Sequence, residues 1–144
     1  MQIIALSTSG VKMTTRQVLT VDLEGPDLRY AVARAMGYHI FHSEGVVTAW
    51  CDQKGNQVCV VRSWEPDRDW NQLGPAFPRF GLEFRMGELC VHAWATFPRG
   101  IDLVMASGMT HQEAACRAIV ISHFGQTMTL PINLNDAYGQ NEAG

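Results

Sequence analysis

Apolar positions along the chain switch between two spacings, and the switches mark out its elements. Leu28, Ala31, Val32 and Ala35 recur at helical spacing. The preceding Gly25-Pro26-Asp27 puts a proline at the first helical position and an acid in the first turn, and Gly37 supplies the stop. A second helix opens on Thr110, with Glu113 three residues later completing a capping box, and runs through Ala114 and Ala118 to Phe124 before Gly125. Its Ala114, Ala115 and Ala118 would let a sheet or another helix approach closely.

Extended segments show period-two alternation instead. Residues 17–23 hold a weak extended pattern suited to an edge strand or a lead-in segment. Residues 46–51 and 58–62 flank a polar turn near Gly55 and predict a hairpin. A register symmetric about Gly55 sets Cys51 opposite Cys59, within reach of a bridge, although free thiols suit the expected compartment better. Residues 82–85 and 88–96 predict two more strands around a tight turn at Met86-Gly87. In the second, Leu89, Val91, Ala93 and Ala95 alternate with Cys90, His92, Trp94 and Thr96. Pro98-Arg99-Gly100 reads as a turn.

Together these elements predict an α+β fold: a small, mainly antiparallel sheet with two main helices packed on one face. At 144 residues the chain is expected to form a single domain over 1–144, with 1–12 a loosely held extension and 135–144 a frayed polar tail. Eleven Lys+Arg against 14 Asp+Glu give a net charge of −3, which argues against a sequence-independent nucleic-acid binder. No run approaches the ~20 apolar residues that span a bilayer. The first residues lack a basic segment followed by a long apolar one, so no secretory leader is expected. The four cysteines show no Cys-x-x-Cys spacing, and free thiols in a cytoplasmic protein are the expectation.

Residues 63–81 fit neither spacing. Three prolines and two glycines predict irregular chain across most of the segment, and its two Trp and two Phe argue for burial or ligand contact over disorder. It is the leading candidate site. Trp64 and Trp70 offer faces for stacking, worth ~1–3 kcal/mol per base in nucleic-acid complexes. Arg68 can fork onto phosphate or carboxylate. Asp69 and Gln72 can read donor groups, and Gly74 permits close backbone approach. The competing role is internal: both Trp cover a thin core while Asp69 and Gln72 tie down the loop. Arg117, mid-helix among small apolar residues, must snorkel or find an acid. Asp69 and Glu83 are the expected partners, the alternative being a pocket shared with the Trp loop.

Other chemistry is sparse. His39 and His42 beside Cys51 and Cys59 fit no established zinc spacing, so no metal or cofactor is expected. A small hydrolase or transferase would have to rest on His92 or His111, neither of which has an identified acid or nucleophile. Ser107 and Ser122 are not in a nucleophile-elbow context.

Three blocks together resemble the phage NinX family. They are residues 28–37 with a Tyr30-Ala31-Val32-Ala33 core; residues 64–75, where Asp69-Trp70-Asn71-Gln72 leads to Gly74-Pro75; and residues 108–131, from Gly108-Met109-Thr110 to Leu130-Pro131. The chain departs from the family pattern at Leu73 (usually Gly), Cys116 (usually Met) and His123 (usually Lys), and its middle carries an extra hairpin. The resemblance implies a small cytoplasmic accessory protein of phage or prophage origin, and it brings no catalytic residues. The leading expectation is a non-catalytic binder of a small anionic, nucleotide-like ligand, with sequestration of a host signalling molecule as one use. The alternative is an interaction module that engages a host protein through residues 64–75. A thin sheet with open edges also makes a homo-oligomer an expectation.

Overall fold

The computed structural model describes residues 3–6, 11–42, 48–96 and 103–134. Its centre is a long helix, α4 (His111–Phe124), whose Ala114, Ala115, Cys116, Ala118, Ile119 and Val120 are all buried. One side of it lies on an antiparallel sheet of β6 (Glu83–Met86), β7 (Val91–Thr96) and β8 (Leu103–Gly108), in the order 6-7-8. Close approach is possible because both surfaces are small: Val91, Ala93, Ala95 and Ala106 are buried beneath the helix alanines. Gly108 is the tightest point. A Cβ there would stand 2.6 Å from the backbone nitrogen of Ala114, so any side chain would push the first turn of α4 off the strand. That turn is held as the capping box predicts. Thr110 accepts from the Glu113 N–H at 3.0 Å, and the Glu113 carboxylate accepts from the Met109 N–H at 2.7 Å.

Helix α1 (Gly25–Ala35) packs against α4 and buries the apolar stripe read from the sequence, Leu28, Ala31, Val32 and Ala35. Two further antiparallel sheets complete the fold. One joins β1 (Ile3–Leu6), β2 (Val11–Leu19) and β9 (Thr127–Pro131), and the other β3 (His39–His42), β4 (Thr48–Cys51) and β5 (Gln57–Val60). The α+β class with two main helices therefore stands, its strands divided among three small sheets. No described helix is long and apolar enough to cross a membrane.

Several local expectations are corrected. Strand β2 ends at Leu19, and residues 20–22 form a 3-10 turn pinned by Thr20, whose hydroxyl donates to the Gly125 carbonyl at 2.7 Å. Cys51 does not face Cys59: the register shifts between Trp50 and Cys51, so Cys59 pairs with Trp50, Cys51 with Gln57, and both thiols are free. Residues 63–81 also hold two short helices, α2 (Trp70–Leu73) and α3 (Ala76–Phe80). Proline does not prevent them. Pro75 is the N-cap of α3 and Pro78 lies in its first turn, where a missing N–H breaks no helical bond. The turn expected at 98–100, the tail from 135 onward and the first two residues of the 46–51 run lie outside the described residues.

Candidate functional site

The loop between β5 and β6 is fastened to α1 at its first half. The Trp64 ring is 3% exposed, meets Tyr38 edge-on at 5.8 Å, and donates its indole N–H to the Arg29 carbonyl at 2.8 Å. The Arg29 side chain then grips Asp67 through two hydrogen bonds of 2.7 and 3.3 Å. This bidentate bond to Asp67 is the main reason that the Arg29 pKa is raised, against the opposing effect of burial. One residue of α1 thus holds the loop by both its backbone and its side chain.

Gln72 and Asp69 finish the fastening. The Gln72 carbonyl oxygen accepts from the Glu65 N–H at 2.5 Å, and its amide donates to the Ser63 carbonyl at 2.8 Å. Asp69 caps α2 by accepting from the Asn71 N–H at 2.9 Å. Both side chains are engaged in the internal role that the sequence left open. Gly74 has ordinary helical dihedrals, φ −49° and ψ −44°, and no left-handed requirement.

Trp70 and Arg68 differ from these. Trp70 opens α2, and its side chain leaves it 46% exposed. It stands against Phe77 at 6.0 Å and Phe84 at 6.3 Å, with Phe77 and Phe84 5.9 Å apart and Phe84 meeting His111 at 5.2 Å. These separations are those of favourable edge and tilted ring pairs. Four elements contribute one ring each: α2, α3, β6 and the first residue of α4. Met86, two residues beyond Phe84 and on the same strand face, extends the surface and is 66% exposed. Arg68 is exposed and has no salt-bridge partner among the described residues.

Arg117 is elsewhere. It pairs with neither Asp69 nor Glu83 and does not join the Trp loop. Its guanidinium donates to the Leu23 carbonyl at 3.1 Å, the Ser107 carbonyl at 3.0 Å and the Glu113 carboxylate at 3.4 Å. It braces α4 to β8 and to the chain before α1, and with Val21, Met105 and Ile121 it lines a cavity of about 280 Å³. Carbonyl acceptors decided its position, and a search for acids alone could not have found them.

His92 gains a partner that its spacing did not reveal, a cross-strand Ser107 hydroxyl 2.8 Å from its Nδ1. Its other nitrogen lies 4.0 Å from the Cys90 sulfur, and no carboxylate pairs with it among the described residues. Phe77, Phe84 and His111 were likewise not grouped with Trp70 by the sequence. The available signal was weak: Phe84 alternates with exposed Glu83 and Arg85 on a short strand.

The fold and this ring surface define a small α+β protein with a tied-down loop that presents aromatic side chains outward. Residues 20–123 match the family model described as "Bacteriophage P22, NinX", well over half of the chain, and the protein belongs to that phage family. No curated protein matches it.

Proposed function

We propose that the protein is a non-catalytic recognition module that docks a host protein through the Trp70, Phe77, Phe84 and His111 rings, with Arg68 at the margin. The observation that carries this reading is the half-exposed Trp70 on a loop whose other anchors are spent internally. Exposed aromatic residues beside arginine are the residue types that dominate protein interfaces, and a ring held by a rigid scaffold loses little entropy on binding. Phage-family membership supplies the host setting.

A specific feature also favours a second reading, a small anionic nucleotide-like ligand: Arg68 stands two residues from the Trp70 ring, so one ligand could stack on the indole and pair with the guanidinium. Small-molecule sites are ordinarily concave, which ranks this reading behind the first.

The two are separated by one pair of variants. Affinity isolation from host lysate with the wild type, Trp70→Ala and Arg68→Ala should identify a protein retained by the first and lost by both variants. The interaction should then be reproduced with the purified partner. A nucleotide panel that quenches Trp70 fluorescence and raises Tm, with both effects lost in Trp70→Ala, would replace the protein partner by a ligand. Full binding of the purified partner by Trp70→Ala would overturn the docking surface.

A further inference from the structure

A second cavity, of about 330 Å³, lies where α1 ends against the β4–β5 turn, and it has a surplus of hydrogen-bond donors. The surplus follows from how the chain is built there. Gly37 ends α1 with φ +85°, and having no side chain it leaves open the point where a Cβ would stand. Three nitrogens close on that point from two separate elements. Gln53 Nε2 is 3.3 Å away, on the hairpin turn, while Arg79 Nη2 and Nη1 are 3.5 and 3.7 Å away, on α3. Lys54 lines the same cavity.

Gln53, Lys54 and Arg79 are exposed, and little of this donor capacity is used within the chain. Arg79 uses Nη1 on the Met36 carbonyl at 2.5 Å, which holds the guanidinium at the C-terminus of α1, and its carbon lies 5.8 Å over the Phe80 ring. Among the described residues neither Arg79 nor Lys54 has a salt-bridge partner, and the Gln53 amide makes no hydrogen bond. The one carboxylate in the cavity is already engaged. Asp52 Oδ1 accepts from the Lys54 and Asn56 backbone N–H groups, both at 2.9 Å, and Oδ2 accepts from the Asn56 amide at 3.4 Å. Two cations thus line the cavity with one carboxylate that is turned to its own hairpin turn, which leaves a positive balance.

We infer that this cavity is a binding site for a phosphate group, held by Arg79, Lys54 and Gln53 across Gly37. Donors approaching from α3 and from the hairpin suit a tetrahedral group with several acceptor oxygens better than a planar carboxylate. The cavity exceeds the group itself, and the Tyr38 side of its lining offers an apolar face for whatever the phosphate is attached to. The site shares no residue with the Trp70 surface, so either can fail alone.

The test is a titration of the isotope-labelled full chain with inorganic phosphate, followed by amide shifts, against chloride at equal ionic strength. Saturable shifts confined to Gly37, Gln53, Lys54 and their neighbours, complete by about 20 mM, are expected. Arg79→Gln should weaken binding about tenfold and Lys54→Gln about threefold, as losses of charge-assisted bonds. Because Arg79 also caps α1, Lys54→Gln, whose side chain holds no part of the fold, serves as the independent variant. A nucleoside monophosphate run in parallel distinguishes the sources: tighter binding than phosphate assigns the site to a phosphomonoester, and equal binding to the free anion. Shifts that grow linearly, that chloride reproduces, or that Lys54→Gln leaves unchanged would overturn the site.

Discussion

Trp64 and Trp70 belong to one loop and meet opposite fates. Trp64 is 3% exposed and has its N–H bonded to α1, whereas Trp70 is 46% exposed and rests on rings from two other elements, α3 and β6. The difference lies in what each half of the loop is tied to. Residues 64–67 are drawn inward by Arg29, with the Pro66 ring fully buried between the two anchors. Asp69 caps α2 through the Asn71 N–H, and the Gln72 side chain satisfies the Glu65 N–H and the Ser63 carbonyl, so α2 stands on the surface while tying the start of the loop back to itself. A loop of this kind separates stability from recognition along a few residues. The first tryptophan fixes the segment, and the second is free to be a contact.

The largest test of that division is Trp64→Ala. Removing a buried ring with its hydrogen bond should cost about 3–5 kcal/mol, read as a fall in the urea midpoint with unchanged slope. A cost below about 1 kcal/mol would put Trp64 in the same class as Trp70 and erase the contrast. Asp67→Ala comes next. It leaves the Arg29 guanidinium, whose side chain is 20% exposed, without its carboxylate, and should cost on the order of 2 kcal/mol. Arg29→Met in the Asp67→Ala background should recover part of that loss, because the cost is the stranded charge more than the missing attraction. Additive losses would show that Arg29 and Asp67 do not act as a pair.

The sequence carried the helices well and the site only in part, for identifiable reasons. Caps are local: Thr110, Glu113 and the Pro26 start act within one turn, so α1 and α4 were legible from spacing. The NinX resemblance rested on residues in those same helices and in the loop, and the family match confirms it. Strand β8 left no alternation to read, since Leu103 and Met105 on its outer face are as apolar as Ala106 within. The Cys51–Cys59 register failed because one bulge shifts every later pair. Within the loop the residue types were right but their division was not visible. Whether Gln72 reads a ligand or the Ser63 carbonyl depends on a fold-back of the chain that composition does not encode. The Phe84–His111 contact joins a strand to a helix far along the chain, and only tertiary structure brings it to Trp70.

Trp70→Ala should move stability little, by about 1 kcal/mol, because half of the ring already faces solvent and only its contacts to Phe77 and Phe84 are lost. Its partner or ligand binding should nonetheless be abolished. A variant that unfolds the protein as Trp64→Ala does would show that Trp70 is core after all.

The smallest expected effect probes the last turn of α4, where His123 feels the charge of Arg79 on α3. Burial first, and then the positive charge of Arg79, disfavour the protonated form of His123 and lower its pKa from the usual 6.5. Above pH 6.5 the imidazole is neutral in both folded and unfolded chains, and its contribution to stability is fully present. As the pH falls through that value the unfolded chain takes up a proton that the folded one refuses, so stability declines until the lowered pKa is passed. His123→Asn should remove this component, so the wild type should lose more stability than the variant on mild acidification, measured as the shift in urea midpoint. The side chain is substantially exposed, and solvent screening keeps the difference small. A wild type that gains stability relative to the variant in acid would reverse the sign. It would mean that the Arg79 guanidinium of α3 does not act on His123 and that burial alone does not hold the imidazole neutral.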